Sequence, residues 1–239
     1  GKQFIDATRL RDMIKACVKR NLAFTAHCQG DAAVEALVEA YQEVDKLYPV
    51  HSTHSTITHS SFMTPKAIEG AAKIGIGIDL QPAWLYLDAN TLIAHFGESR
   101  LRHFIPLRSL FDAGVIAGGG SDHMQKIGSL RSVNPYNPFL GMWVAVTREA
   151  RWYDGQVTPD QAIDREQMIR FYTINNAWLM RDEEQLGSLE VGKRADFVVL
   201  DRDLLTCPVD GIRETQVLST WIDGEKVFDS FVVDPTDVQ

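Results

Sequence analysis

The hydrophobic positions of this chain follow two periodicities that alternate along the sequence. Short apolar runs of the kind that form buried strands lie at 22–27, 55–59, 76–80 and 115–118. Apolar residues spaced three and four apart, as in amphipathic helices, lie at 6–21, 30–47, 64–73, 89–96 and 101–113. Strands alternating with helices predict a parallel sheet with right-handed crossovers. Two architectures stay open on this evidence: a doubly wound sheet, or part of a (β/α)8 barrel.

Two further helices are predicted at 139–148 and 164–175. After residue 185 the pattern changes, and the runs at 196–201, 217–222 and 226–232 predict short strands. Asp223-Gly224 lies between the last two runs and is typical of a tight hairpin. We therefore predict an α/β unit over residues 1–185 and a small antiparallel β element over 186–239.

Three of the predicted strands lead into side chains that bind metals or transfer protons. His27 and His59 end the first two strands, and Asp122 follows the fourth after Gly118-Gly119-Gly120. Active sites on parallel sheets lie where the carboxyl ends of the strands meet. Two imidazoles and a carboxylate at such a face indicate a metal site or an acid–base site. The glycine run does not match GxGxxG, so a dinucleotide site is disfavoured.

Composition narrows the classes of partner. The formal net charge is -8 and the isoelectric point is about 5.3, which disfavours nucleic acid as a partner. No apolar run approaches the ~20 residues of a membrane-spanning helix, so we expect no membrane partner. The three cysteines form no CxxC pair. We expect reduced thiols and a cytoplasmic location.

Several motifs resemble one known family and occur in that family's order. They lie at 25–31, 58–60, 81–82, 120–124, 137–143, 172–177 and 187–196. The last of these fits the pattern GxLxxGxxAD. Together they resemble the amidohydrolase superfamily, and most closely the amidohydrolase 3 family, which includes N-substituted formamide deformylases.

The resemblance implies a fold and a position within it. Residues 1–185 would form four βα units, strands five to eight of a (β/α)8 TIM-type barrel, and 186–239 would belong to a small β-sandwich domain. The family's first-strand His-x-His pair and fourth-strand lysine have no counterpart here. We therefore expect the carboxyl-terminal portion of a longer enzyme, with the amino-terminal half of the barrel as its missing partner.

The resemblance also implies roles for particular residues. His27, His59 and Asp122 match metal ligands, and Asp122 also matches the residue that handles the proton of the nucleophilic water. The implied cofactor is Zn²⁺, as one or two divalent ions in the whole enzyme, and the resemblance does not require that this chain alone hold one. Substrate contacts are expected from Gln81, Trp84, His123 and Arg148, for each of which a packing role is the competing interpretation.

The sequence thus predicts a metal-dependent hydrolase that cleaves a non-peptide carbon–nitrogen bond of a small amide or formamide. The competing hypothesis is an inactive fragment, or a regulatory relative, that acts through association. We expect this chain alone to have little activity. We also expect it to form homo-oligomers, because the strands at 22–27 and 115–118 would each present an unpaired edge.

Overall fold

The computed structural model describes residues 4–122 and 136–231. The helices are α1 (Ala7–Val18), α2 (Asp31–Asp45), α3 (Pro65–Ile74), α4 (Ala83–Phe96), α5 (Leu107–Asp112), α6 (Pro138–Thr147), α7 (Arg165–Tyr172) and α8 (Ile174–Leu179). The strands are β1 (His27–Cys28), β2 (Thr56–His59), β3 (Gly77–Leu80), β4 (Ala117–Gly119), β5 (Phe197–Leu200), β6 (Val217–Ile222) and β7 (Glu225–Asp229).

The first four strands form one parallel sheet in the order β1-β2-β3-β4. The parallel sheet, with helices between its strands, confirms the predicted α/β class. Strand β1 is shorter than the predicted run at 22–27, although the segment before His27 also forms hydrogen bonds to β2. There the carbonyls of Phe24 and Ala26 accept hydrogen bonds from the N–H groups of Thr56 and Thr58.

The two faces of this sheet differ in polarity. Ile57, Ile78 and Leu80 are buried and share one hydrophobic core with residues of α2, α3 and α5. The alternate positions Thr58 and Asp79 are only partly buried. Since side chains alternate across a strand, one face of the sheet is apolar and packed against helices, and the other carries polar groups.

Helix boundaries differ from the prediction where local chemistry outweighs periodicity. Asp6 caps α1, accepting hydrogen bonds from the N–H groups of Thr8 and Arg9 at 3.0 Å, and the helix ends at Val18, before the predicted end at 21. Thr64 caps α3, with Pro65 at its first position. Three other helices deviate from prediction. Helix α4 begins at Ala83 instead of residue 89. The helix predicted at 101–113 is divided by Pro106, and the helix predicted at 164–175 is divided at Thr173 into α7 and α8.

Strand β4 lies at the edge of the sheet, as expected, and side chains of α8 form hydrogen bonds to its backbone along that edge. The Asn175 amide donates to the Ala117 carbonyl at 2.7 Å. Asn176 accepts from the Gly119 N–H at 2.6 Å and donates to the Gly119 carbonyl at 2.9 Å. These amides replace the hydrogen bonds that a further strand would provide.

The same helix lies close to two glycines of the sheet. A β-carbon at Gly77 would lie 2.5 Å from the Trp178 ring, and one at Gly118 would lie 2.9 Å from Leu179. Trp178 also stacks on His54 with ring centroids 4.3 Å apart. Larger residues at positions 77 and 118 would therefore displace α8 from the sheet.

The remaining strands form an antiparallel sheet in the order β5-β6-β7. Asp223 and Gly224 have φ of 52° and 79°, as the predicted hairpin requires. The segment between β5 and β6 packs against the helices, since Leu204 and Ile212 join the same hydrophobic core as α6 and α7. Across the described ranges, no helix combines the length and apolar character needed to cross a membrane.

Gly119 provides a test of the strand end that precedes Asp122. Its φ is 154°, and an added β-carbon would lie 1.6 Å from the Leu80 carbonyl oxygen. We expect Gly119→Ala to lower the free energy of unfolding by ~3 kcal/mol or more, because β3 and β4 must separate. Denaturant unfolding followed by circular dichroism measures this.

The neighbouring Gly120 is the matched control. An added β-carbon there meets no atom of the described residues within 4 Å, so Gly120→Ala should change stability little. Equal stability of the two variants would show that the β3–β4 contact at Gly119 is not as described.

Candidate functional site

The two predicted histidines lie side by side at the carboxyl ends of β1 and β2. His27 pairs with Thr58 in the parallel register, and Cys28 pairs with His59. The two imidazole rings are 4.4 Å apart between centroids and meet edge to face. His59 is buried, whereas His27 is exposed. The sequence-based expectation that the ends of these strands bring both imidazoles together agrees with this geometry.

The backbone at His59 departs from the strand conformation. His59 has a φ of 75° and Ser60 a φ of 48°, although neither is glycine. Such conformations cost roughly 1–3 kcal/mol each and cluster at functional sites. Strict alternation would place His59 on the apolar side with Ile57, and the left-handed turn breaks that alternation.

Asp122 lies on the loop after β4 and is near His59. Its Oδ2 is 3.9 Å from His59 Nδ1. The same oxygen accepts a hydrogen bond from Trp84 Nε1 at 3.2 Å. The carboxylate remains 45% exposed, so it is open to a ligand. Trp84, expected to contact substrate, is in this structure a partner of the carboxylate.

Gln81 follows β3 and links His59 to Asp79. Its Oε1 is 2.7 Å from His59 Nδ1. Its Nε2 donates to the Asp79 backbone carbonyl at 3.3 Å and to Asp79 Oδ1 at 3.0 Å. Burial is the main cause that raises the pKa of Asp79, and the nearby Asp122 carboxylate raises it further, against the lowering effect of His59.

Asp79 was missed by the sequence analysis. The signal available was an acidic residue between two buried apolar residues of a strand, Ile78 and Leu80. A carboxyl group at such a position needs a hydrogen-bond partner, and the Gln81 amide supplies one. His123 lies outside the described residues.

The donors present suit a divalent metal in kind. Neutral imidazole and carboxylate are the usual ligands of zinc in catalytic sites. Within 4–122 and 136–231, however, no three His, Cys, Asp or Glu side chains converge as a metal-binding group. The described part of the chain therefore has side chains of the types that bind zinc, but they do not form a complete coordination site.

Arg148 does not contact this cluster, which corrects its expected role in substrate binding. Its side chain is fully buried at the end of α6. The guanidinium donates to the carbonyls of Val157, Ile105 and Phe104 and to Thr158 Oγ1 at 2.7–3.1 Å. Burial lowers its pKa to about 9. Arg148 therefore joins two loops to α6, which is the packing role.

Comparison with known proteins gives one family and a consistent fold. The amidohydrolase family profile matches residues 2–228. An N-substituted formamide deformylase of Arthrobacter pascens is 30% identical over 94% of this chain and 40% of its own length. The putative amidohydrolase YtcJ of Bacillus subtilis is 25% identical over 96% of this chain and 42% of its own.

Solved structures agree at the level of fold. An uncharacterized metal-dependent hydrolase from Pyrococcus horikoshii superposes with a TM-score of 0.70 at 21% identity, over 88% of this chain and 40% of that one. A second, from Pyrococcus furiosus, gives 0.68 at 24% identity. This chain spans 40% of the length of the Arthrobacter pascens formamide deformylase and 42% of the length of YtcJ.

The structural role of Arg148 can be tested by a charge-conserving change. We expect Arg148→Lys to lower the free energy of unfolding by roughly 3 kcal/mol or more, because one ammonium cannot satisfy four acceptors in a buried site. Arg9→Lys, on the exposed surface of α1, is the control and should be neutral. If thermal denaturation gives both variants wild-type stability, Arg148 is not the buried link described.

Proposed function

This chain belongs to the amidohydrolase family, and on that premise we propose that it provides one side of the active site of a metal-dependent hydrolase. The reaction is hydrolysis of a non-peptide carbon–nitrogen bond in a small amide or formamide. The observation that carries the proposal is the cluster at the strand ends: two imidazoles 4.4 Å apart and a carboxylate 3.9 Å from one of them.

The substrate class rests on chemistry and on likeness. A carbonyl substrate needs an activated water, a proton acceptor for that water and a proton donor for the leaving nitrogen. One relative of 30% identity is an N-substituted formamide deformylase, which supports a formamide or a related amide as substrate.

We propose that His27, His59 and Asp122 bind the metal together with further donors, because in the described part of the chain these three do not by themselves converge as a metal-binding group. A bound zinc or similar divalent ion supplies Lewis acidity toward the carbonyl and activates water near neutral pH. Asp122 takes the proton that the attacking water loses as the carbon–oxygen bond forms. It returns that proton to the nitrogen as the carbon–nitrogen bond breaks. We place this transfer at Oδ1, since Oδ2 accepts the Trp84 hydrogen bond.

The remaining donors come, in this proposal, from residues beyond the 239 of this chain. Two observations support that: the described residues hold no converged group of three ligands, and the matched relatives are more than twice as long. The chain would then be the carboxyl-terminal portion of a barrel and of a β-sandwich. Its partner would be the amino-terminal half of the same enzyme.

Turnover by the longer protein tests the proposal. The chain extended at its amino-terminal side to the length of its relatives should hydrolyse an N-substituted formamide in the presence of zinc. The 239-residue chain alone should not. In the extended protein, Asp122→Asn should lower kcat by about 10²-fold or more, because the proton acceptor is lost.

The control is Asp112→Asn, an exposed carboxylate at the end of α5. It should leave kcat unchanged. Turnover by the chain alone, or equal kcat in the two variants of the extended protein, would contradict the assignment.

We also propose that the chain alone self-associates. The segment at 24–28, which includes β1, forms hydrogen bonds to β2 along one side. Leu22, just before this segment, is exposed. The antiparallel sheet exposes Val198, Ile222, Val227 and Phe228 by about half. Unpaired strand edges and exposed apolar residues favour association.

Light scattering at micromolar concentration should therefore give a mass above the 26.8 kDa of one chain. Leu22→Lys and Phe228→Lys distinguish the two surfaces, because a charge should disrupt only the surface that associates. A monodisperse mass of 26.8 kDa for the unmodified chain would refute self-association.

A further inference from the structure

The hydrogen bonds of Gln81 fix the direction of its amide. The Nε2 group has two hydrogens, and Asp79 offers it two acceptors, the backbone carbonyl at 3.3 Å and Oδ1 at 3.0 Å. With the nitrogen held by Asp79, the oxygen faces His59 Nδ1 at 2.7 Å. Reversing the amide would place its N–H groups toward His59 and an oxygen toward two oxygens of Asp79, which is unfavourable.

An amide oxygen accepts hydrogen bonds and cannot donate them. A 2.7 Å contact between this oxygen and His59 Nδ1 therefore requires the proton on Nδ1. In neutral imidazole, the other nitrogen then carries the lone pair. The Asp122 carboxylate does not compete for this proton, because its Oδ2 is 3.9 Å from Nδ1 and accepts from Trp84.

We infer that Gln81 is a positioning residue that holds His59 in the Nδ1–H tautomer and leaves Nε2 as its ligand atom. The tautomer follows from the hydrogen bonds alone, and its link to a metal rests on the proposed function. Histidines that bind metals usually donate their other N–H to a carboxylate, carbonyl or water. Here a neutral amide receives it, so the Asp122 carboxylate stays available for another task.

This assignment replaces the expected contact between Gln81 and substrate. Gln81 is buried, and its two N–H groups and one oxygen lone pair already have partners within the protein. Its oxygen keeps a second lone pair, but burial of the side chain shields that lone pair from a substrate. Breaking one of the existing bonds instead would leave a polar group unsatisfied in a buried network, which is unfavourable.

The anchoring of Gln81 explains why a glutamine can perform this role. Its first contact with Asp79 is to the backbone carbonyl, which is fixed by β3, and the second is to the side chain. Asp79 in turn lies opposite Thr58, the residue before His59, in the register of β2 and β3. The contacts of Gln81 with Asp79 and with His59 therefore link the ends of β3 and β2 and orient the His59 ring.

Nitrogen NMR of the ¹⁵N-histidine-labelled chain, without metal, tests the tautomer directly. At pH about 8, where an ordinary histidine is neutral, His59 should show a protonated Nδ1 and an unprotonated Nε2. The spectrum of His59→Gln identifies its signals. Observation of the Nε2–H tautomer in the unmodified chain would overturn the inference.

Two substitutions separate positioning from packing. Gln81→Met keeps the length of the side chain and removes its acceptor, so the tautomer ratio should shift by about tenfold toward Nε2–H. Gln185→Met, at an exposed glutamine, is the control and should leave the His59 signals unchanged. A tautomer that is the same in Gln81→Met as in the unmodified chain contradicts the inference.

Zinc titration of the extended protein distinguishes this inference from the proposed function. If both hold, Gln81→Met should weaken zinc binding by 10–100-fold, as other losses of hydrogen bonds to ligands do. A protein that shows the Nδ1–H tautomer but binds no zinc would contradict the proposed function and support the inference. Tight zinc binding with the Nε2–H tautomer would support the proposed function and contradict the inference about Gln81.

Discussion

The pairing of β2 with β3 is the contact on which the candidate site depends. Its register, Thr58 opposite Asp79, sets the end of one strand beside the end of the next. His59 and Gln81 then meet at 2.7 Å without either side chain crossing another strand. Pairing of β1 with β2 adds His27 on one side, and pairing of β3 with β4 brings the loop of Asp122 to the other. A shift of one residue in any register would separate these groups.

The stability that holds this arrangement comes from the opposite face of the sheet. Ile57, Ile78 and Leu80 are buried among the helices, and Tyr41 of α2 donates to the carbonyls of Phe24 and Thr56 at 2.7 and 2.8 Å. These contacts can offset two unfavourable contributions to stability at the site. His59 and Ser60 adopt left-handed backbone conformations, and the buried Ser60 Oγ has no hydrogen-bond partner among the residues that the structure describes. Packing of the apolar face thus stabilises the sheet enough for the polar ends of its strands to keep strained backbone conformations.

Sequence patterns predicted what depends on local chemistry and on the parallel sheet. His27, His59 and Asp122 could be named because each follows an apolar run, and the carboxyl ends of parallel strands share a rim. Arg148 was misjudged because a sequence does not show which arginine is surrounded by carbonyls: Phe104 and Ile105 are far from it along the chain. The cover that Asn175 and Asn176 provide for β4 is likewise a long-range contact with no local signal.

We propose that the ends of β1 and β2 present their imidazoles to one metal ion. A crystal structure of the extended protein grown with zinc, with the ion located by anomalous scattering, would test this. We expect an ion bound by His27 and by His59 Nε2, at the usual Zn–N distance of about 2.0–2.1 Å. An ion bound elsewhere, with His27 and His59 outside its coordination sphere, would show that these imidazoles are not its ligands.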